Sequence, residues 1–168
     1  MEILHLCLSP GHSFFGHHGE EPADFPMREV AEIECVAAHG IRGDRFFDHR
    51  DEYKGQITFF AEEVYAALCT ALKIHDRPAS VLRRNVVTRG VDLAAYIGEE
   101  WEVQGVRFQG MEECRPCFWM NQAFGQGAED FLRGRGGLRA RILTNGRLQL
   151  GSAAFSRIHS SLPVLPTA

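Results

Sequence analysis

The strongest candidate for chemistry is a pair of cysteines, Cys114 and Cys117, separated only by Arg115 and Pro116. A cysteine thiolate is both a nucleophile and a ligand for soft metals. Because proline lacks an N–H group and suits the first turn of a helix, the stretch predicts a short helix beginning near Phe118. Cys117 would then lie at the helix N-terminus, where the helix dipole and Arg115 favour the thiolate.

The spacing C-x-x-C has three other interpretations. It can be half of a zinc site, a thioredoxin-like redox pair, or two buried small apolar residues. Zinc needs two more ligands and the chain has no second C-x-x-C, while a redox pair is expected early in a βαβ unit. The remaining cysteines, Cys7, Cys35 and Cys69, lie singly in apolar patterns typical of a core. Spacing alone leaves reactive and structural thiols as open alternatives.

Two arginine-containing motifs are the next candidates. The first, GIRGDRFF, begins at Gly40 and places Arg45 beside Asp44. The second is RRNVVTRGVDL, which contains Arg83, Arg84, Asn85 and Thr88. A surface turn and an exposed strand edge would explain them structurally. Alternatively, guanidinium forks, an amide and backbone N–H groups near a glycine form a cradle for an anion such as phosphate.

Three histidines, His12, His17 and His18, occur in a polar loop between residues 12 and 28. They have the chemistry of metal ligands, but no predicted element fixes their geometry. We therefore expect a solvated loop.

Composition limits the class of protein. The 168 residues are enough for one domain with its own core, and 45% are hydrophobic. The net charge of -4 argues against non-specific nucleic-acid binding, and no apolar run reaches membrane-spanning length. An odd number of cysteines without a basic leader predicts a reducing, cytoplasmic environment. Only Lys54 and Lys73 of the 18 basic residues are lysines, so any anion site would use arginine.

Periodicity predicts the elements that must position these motifs. Strands are expected at Ile3–Leu8, Arg28–Val36 and Gln56–Phe60, one amphipathic helix at Ala61–Ile74, and two hairpins, around Gln104-Gly105 and Asn145-Gly146. Seven or so short strands and a single clear helix are typical of a mainly β (α+β) fold, a mostly β barrel with little parallel character. We expect one domain over residues 1–156 and a C-terminal tail over residues 157–168.

These motifs, taken in order, resemble the MOSC domain, the C-terminal domain family of molybdenum cofactor sulfurases. The resemblance covers roughly residues 3 to 152. It is carried by GIRGDR at 40–45, RRNVVT at 83–88, GVDL at 90–93, IG at 97–98 and CRPC at 114–117. Each motif is weak by itself, whereas the ordered set is specific. One departure is Gly151-Ser152, where relatives often have Gly-Asp.

The resemblance implies a closed, Greek-key-like β-barrel of the pyruvate-kinase-insert type with a few short helices. It also implies binding of the molybdenum cofactor, a pyranopterin dithiolene with a phosphate. The aligned thiolate that would ligate molybdenum is Cys117, with Cys114 as the second choice for a catalytic thiol. The residues that would hold the cofactor are Asp44, Arg45, Arg83, Arg84, Asn85, Thr88 and Arg115.

By the same resemblance, the chain would be an oxidoreductase that reduces small N-hydroxylated substrates. No ferredoxin or flavin domain is recognisable, so a separate flavin or iron–sulfur protein would donate electrons, with no nucleic-acid or membrane partner. The alternative is a non-catalytic carrier that delivers the cofactor, or a persulfide sulfur, to a client enzyme.

Overall fold

The protein is described by a computed structural model that covers residues 1–13 and 23–158. His17 and His18 lie outside these residues. The described strands are β1 (Glu2–Leu8), β2 (Arg28–Glu29), β3 (Glu32–Val36), β4 (Gly40–Ile41), β5 (Ile57–Ala61), β6 (Val86–Arg89), β7 (Glu100–Val103), β8 (Val106–Glu113), β9 (Leu138–Ile142), β10 (Gly146–Gln149), β11 (Gly151–Ser152) and β12 (Phe155–Ile158). The helices are α1 (Glu62–Leu72), α2 (Trp119–Phe124) and α3 (Ala128–Leu132), with single 3-10 turns at Ala79–Leu82 and Leu93–Tyr96.

The strands form one large mixed sheet and one small sheet. The large sheet has the order β11-β1-β6-β5-β9-β8-β7-β12, with β2 paired to β1, and the small sheet has the order β10-β3-β4. β5 and β6 pair in parallel, with Phe59 opposite Val86, and α1 lies in the connection between them. The other described pairs are antiparallel. The mainly β prediction with a few short helices is therefore confirmed.

The predicted closed barrel is not confirmed. Among residues 1–13 and 23–158, no strand pairing joins β11 to β12, the two ends of the large sheet. Only Ala153 and Ala154 lie between these two strands in the chain. The end of β11 and the start of β12 can therefore be at most about 11 Å apart. The large sheet must therefore curve until its edges approach each other, but it remains open.

The sheets enclose one hydrophobic cluster and the helices cover a second. The first contains Trp101, Phe59 and Phe108, whose rings pack 5.4–5.7 Å apart between centroids. The second lies between α1, α2 and α3 and includes Phe60 and Leu68. β5 separates the clusters because consecutive side chains of a strand point to opposite faces, so Phe59 and Phe60 enter different cores.

Helix α1 closely matches its prediction. The expected span was Ala61–Ile74, and the helix runs from Glu62 to Leu72. Glu62 and Glu63 occupy the first turn, where the helix dipole favours carboxylates. The helix ends because Lys73 adopts a left-handed conformation with φ 54°.

The hairpin predicted around Gln104-Gly105 is confirmed. β7 and β8 pair with Trp101 opposite Phe108, and both turn residues have positive φ, 50° and 77°. Positive φ at both turn residues gives the turn a twist that matches the right-handed twist of the two strands.

The hairpin predicted around Asn145-Gly146 is wrong. β9 pairs with β5 and β8, whereas β10 crosses to the small sheet and pairs with β3. The Asn145 amide oxygen accepts a hydrogen bond from the Ala37 N–H at 2.8 Å, which fixes the chain as it leaves the large sheet. Local turn chemistry was therefore overridden by a non-local strand partner.

Two other boundaries differ from expectation. The strand expected at Arg28–Val36 is interrupted, because β2 pairs with β1 and β3 with β10. β12 pairs with β7 through Ile158, two residues beyond the expected domain end at residue 156. Residues 159–168 lie outside the described part of the chain, so the domain boundary remains a prediction. Across the described ranges, no helix is long and apolar enough to cross a membrane.

Gly110 provides a test of this packing. It lies on β8, where the turn at residues 96–99 crosses the strand, and a Cβ at this position would overlap the Tyr96 carbonyl oxygen. We expect Gly110→Ala to lower the free energy of unfolding by about 1–3 kcal/mol, measured by urea denaturation.

Gly105→Asn is the control, because Asn tolerates positive φ and no atom would lie within 4 Å of its Cβ. Equal stability of Gly110→Ala and the wild type would show that the turn does not cover β8 as described.

Candidate functional site

A cavity of about 250 Å³ brings together most of the residues predicted from the motifs. The predicted residues that line it are Arg45, Arg83, Arg84, Cys114, Arg115 and Cys117. The cavity lies beside the ends of β8 and β9, the 3-10 turn at Ala79–Leu82 and the segment that leads into α2. Five guanidinium groups in total, including that of Arg139, therefore surround two thiols.

The two thiols differ in exposure. Cys114 directly follows β8, is 6% exposed, and donates its backbone N–H to the Gly137 carbonyl at 2.8 Å. Cys117 is exposed and precedes α2, which begins at Trp119, close to the predicted helix start. The structure therefore offers one sheltered thiol and one accessible thiol in a single cavity wall.

Arg84 holds the Cys114 segment in place. Its guanidinium donates hydrogen bonds to three backbone carbonyls, those of Leu82 (2.8 Å), Cys114 (2.9 Å) and Gly136 (3.0 Å). Because three of its five N–H groups are used in this way, Arg84 mainly positions the thiol and adds positive charge to the cavity.

Arg45 and Arg83 form a second cationic group. Arg45 lies 3.4 Å from Asp44, between their nitrogen and oxygen atoms, and donates to the Arg83 carbonyl at 3.2 Å. Burial, followed by repulsion from Arg45, lowers the pKa of Arg83 to about 10. Burial also lowers the pKa of Arg45, and Asp44 opposes this shift only in part. With a pKa of about 10, Arg83 is charged at neutral pH, and a bound anion would stabilise both guanidinium groups.

Asp44 and Asn85 lie behind the cavity rather than in its wall. The Asp44 carboxylate accepts hydrogen bonds from the backbone N–H groups of Ser9 (3.2 Å) and Phe46 (3.1 Å), and from the Asn85 amide (3.2 Å). The Asn85 amide oxygen accepts from the Thr58 hydroxyl at 2.8 Å. Both predicted residues therefore form a buried frame under the arginines.

Thr88 is not brought to the cavity. It is fully buried in β6, and its hydroxyl donates to the Phe60 carbonyl at 3.4 Å. Thr88 does not line the cavity, and neither does Phe60, the residue that its hydroxyl contacts. Thr88 therefore differs in this respect from the other predicted residues.

Arg139 was missed by the sequence reasoning. It lines the cavity together with Cys114 and lies 3.4 Å from a Glu112 oxygen. Burial acts to lower the pKa of Arg139, but its interaction with the neighbouring Cys114 raises the pKa overall. The alternation of arginine and apolar residues in LRARI was the available signal, but only the pairing of β9 with β8 shows which face borders the thiol.

An aromatic wall was also missed. The rings of His12 and Phe46 lie 4.8 Å apart between centroids, and those of Phe46 and Tyr53 lie 5.1 Å apart. Burial, then the charge of Arg45, lowers the pKa of His12, so its imidazole is neutral at pH 7. Burial likewise raises the pKa of Tyr53. These rings give the cavity an aromatic wall, and the Arg45 guanidinium lies over the Phe46 ring, 4.8 Å from its centroid.

The other interpretations of the cysteines, as metal ligands or as core residues, require different surroundings. Within residues 1–13 and 23–158, no group of three or more His, Cys, Asp or Glu side chains is arranged to hold a metal ion. Cys7 and Cys35 are buried in the core, where burial raises the pKa of each to about 12. Cys114 and Cys117 are therefore the cysteines with a site around them.

Comparison with known proteins identifies the same architecture. A family model described as MOSC domain matches residues 17–154. The fold is similar to that of the YUAD protein from Bacillus subtilis, with a TM-score of 0.75 and 13% identity over 95% of this chain and 96% of that chain. It is also similar to YiiM from Geobacillus stearothermophilus, with a TM-score of 0.68 and 13% identity over 98% of this chain and 78% of that chain. For YiiM from Escherichia coli the TM-score is 0.62, with 14% identity over 95% of this chain and 70% of that chain. No curated protein matches the sequence.

The buried frame can be tested by removing one charge. Asp44→Asn leaves Arg45 without its carboxylate in a site where the two side chains are 1% and 6% exposed. We expect the free energy of unfolding to fall by about 3–5 kcal/mol, measured by chemical denaturation. Glu34→Gln is the control, because its pair with Arg42 is 42% and 57% exposed and should contribute about 1 kcal/mol or less. Similar effects of the two substitutions would contradict the described role of Asp44.

The difference between the thiols can be tested by alkylation. With limiting iodoacetamide at pH 8, we expect native protein to be modified at Cys117 before Cys114, since only Cys117 is exposed. Cys7 and Cys35 should react only after unfolding, because both burial and a pKa of about 12 suppress their thiolates. Peptide mapping by mass spectrometry gives the order. Early modification of Cys7 or Cys35 in native protein would contradict the described cores.

Proposed function

The chain belongs to the MOSC domain family, which is associated with binding of the molybdenum cofactor, and from this premise we propose that it is an oxidoreductase that reduces small N-hydroxylated molecules. The supporting observation is the cavity in which Cys114 and Cys117 are surrounded by five guanidinium groups. A ligand that combines a thiolate-accepting metal with an anionic group is complementary to such a cavity.

The donor set of the cavity fits this cofactor. A metal held by protein alone needs several protein ligands, and within the described ranges no cluster of three or more such side chains is found. The molybdenum cofactor instead brings its own dithiolene sulfurs and a phosphate, so it needs one further soft ligand and a cationic pocket. Cys117 would be the metal ligand, as the resemblance implies, with Cys114 as the second choice.

The arginines would hold the phosphate of the cofactor in different ways. The Arg45 side chain is buried and Arg83 is partly buried, so their charges are screened less than those of exposed groups. Arg115 is exposed, and its side chain has no hydrogen bond or ion pair with any residue in the described ranges. Its planar guanidinium can therefore form bidentate hydrogen bonds to the phosphate without first breaking others.

When bound, the molybdenum cofactor would supply the two-electron transfer of an oxygen atom. The N–O bond of R–NHOH is broken, and two electrons and two protons convert the substrate to R–NH2 and water. The electrons would come from a separate flavin or iron–sulfur protein. The chain itself would orient the substrate and limit water at the cavity, using the wall formed by Phe46, Tyr53 and Trp119.

A second candidate function is supported by the exposure of Cys117. An accessible thiol beside Arg115 could carry a persulfide sulfur, or the bound cofactor, to a client enzyme. This carrier function predicts no turnover, together with a mass gain of one sulfur atom on Cys117 or transfer of the cofactor.

The proposed function is tested by expressing the protein in a host that makes the cofactor. We expect wild-type protein to contain near-stoichiometric molybdenum and pterin, and to reduce an N-hydroxylated base with reduced methyl viologen as electron donor. Cys117→Ser should lose at least about 100-fold in activity, because loss of a ligand exceeds the effect of losing a supporting group.

Cys69→Ser is the matched control, because Cys69 lies on α1 outside the cavity. If Cys114→Ser loses molybdenum and Cys117→Ser does not, the ligand assignment is reversed. Wild-type protein that lacks molybdenum would overturn the proposed function, and a persulfide on Cys117 would then favour the carrier.

A further inference from the structure

A second and larger cavity, of about 680 Å³, lies where the two hydrophobic clusters meet. Leu93 and Leu138 are buried in its lining, Val64 and Val91 are partly buried, and Ile97 is 47% exposed. Leu93 and Leu138 belong to the cluster enclosed by the sheets, whereas Val64 packs on the cluster beneath the helices. A mostly apolar concavity of this size is in the range of small-molecule sites.

Three carboxylates also line this cavity. Each accepts one hydrogen bond from a backbone N–H, and none forms an ion pair with a residue in the described ranges. The pairs are Glu63 with Gly90 (2.7 Å), Asp92 with Ala94 (3.1 Å) and Glu113 with Gly136 (3.0 Å). These bonds fix the carboxylates around the apolar surface and leave the second oxygen of each without a hydrogen-bond partner among the described residues.

The charge of the lining is negative overall. Arg135 is the only basic side chain among the described residues that line the cavity, and its guanidinium lies over the Phe131 ring, 4.7 Å from the centroid. Three carboxylates against one guanidinium favour a cationic ligand and disfavour an anionic one.

The two cavities lie on opposite sides of the same strand ends. Glu113 lines the larger cavity and Cys114 the smaller, and Leu138 and Arg139 are divided in the same way. Consecutive side chains along β8 and β9 point to opposite faces. A ligand in the larger cavity would therefore leave the thiol cavity open.

We propose that this larger cavity binds a lipophilic amine. Its aliphatic chain packs against Leu93, Leu138 and Val64, and its ammonium group lies among the carboxylates of Glu63, Asp92 and Glu113. This binding does not depend on the molybdenum cofactor, and it is separate from the proposed reduction.

The test compares probes that differ in one property at a time. By isothermal titration calorimetry at pH 7, we expect n-octylamine to bind at least about ten-fold more tightly than n-octanoate, which has the opposite charge. Shortening the amine to n-hexylamine should weaken binding about ten-fold, because two methylenes leave the apolar surface. Inorganic phosphate, which the thiol cavity should attract, should not compete.

Variants assign the binding to this cavity. Combining Glu63→Gln, Asp92→Asn and Glu113→Gln keeps the three backbone hydrogen bonds but removes the charges, so the preference for amine over carboxylate should disappear. Asp76→Asn, an exposed carboxylate elsewhere on the chain, is the matched control and should leave it unchanged.

Ala94→Phe fills the cavity from an exposed position and should weaken binding of both probes. It also keeps the test decisive if the triple variant does not fold. Equal affinity of wild type for the two probes, or unchanged binding by Ala94→Phe, would overturn the proposal.

Discussion

The thiol cavity depends on one buried carboxylate, that of Asp44. It accepts hydrogen bonds from the Ser9 and Phe46 backbone and from Asn85, and it faces the guanidinium of Arg45. These contacts join the end of β1, the loop after β4 and the start of β6. A buried charge is tolerated only when it is hydrogen-bonded and paired, so these three segments must fold together. The position of Arg45 on the cationic side of the cavity therefore depends on the buried Asp44 carboxylate.

The strand ends of β8 and β9 divide the molecule into two chemically different faces. On one side lie Cys114 and Arg139, and on the other lie Glu113 and Leu138. Alternation along paired strands gives this separation directly. One face therefore presents guanidinium groups and thiols, and the other presents carboxylates and aliphatic side chains. The ends of β8 and β9 separate the two faces. Arg84 stabilises this division because it hydrogen-bonds the carbonyls of Cys114 and Gly136.

Local patterns predicted the elements whose partners are close in sequence. Helix α1 and the β7–β8 hairpin were predicted correctly because the helical period and the turn residues act over a few positions. The Asn145-Gly146 hairpin was wrong because β10 pairs with β3, more than 100 residues away in the chain. The role of Arg139 was missed for the same reason, since the face of β9 that borders Cys114 depends on the register with β8. The motifs thus supplied candidate residues, but the topology decides which of them meet.

The arginine motifs contribute to the site in a way that their composition did not indicate. From sequence they were interpreted as direct anchors of an anion, yet Arg84 donates to three carbonyls, Arg45 faces Asp44, and Arg83 donates to the Phe25 carbonyl at 3.0 Å. Guanidinium groups used in this way build the cavity wall and act on an anion mainly through their charge, which is poorly screened because it is buried. Arg115, exposed between the two cysteines, has more N–H groups available for direct contact. Binding an anion would therefore combine the charge of arginines that are already fixed with a bidentate contact from the exposed Arg115. Such a division lowers the cost of ordering, because Arg45, Arg83 and Arg84 are already held by hydrogen bonds to backbone carbonyls.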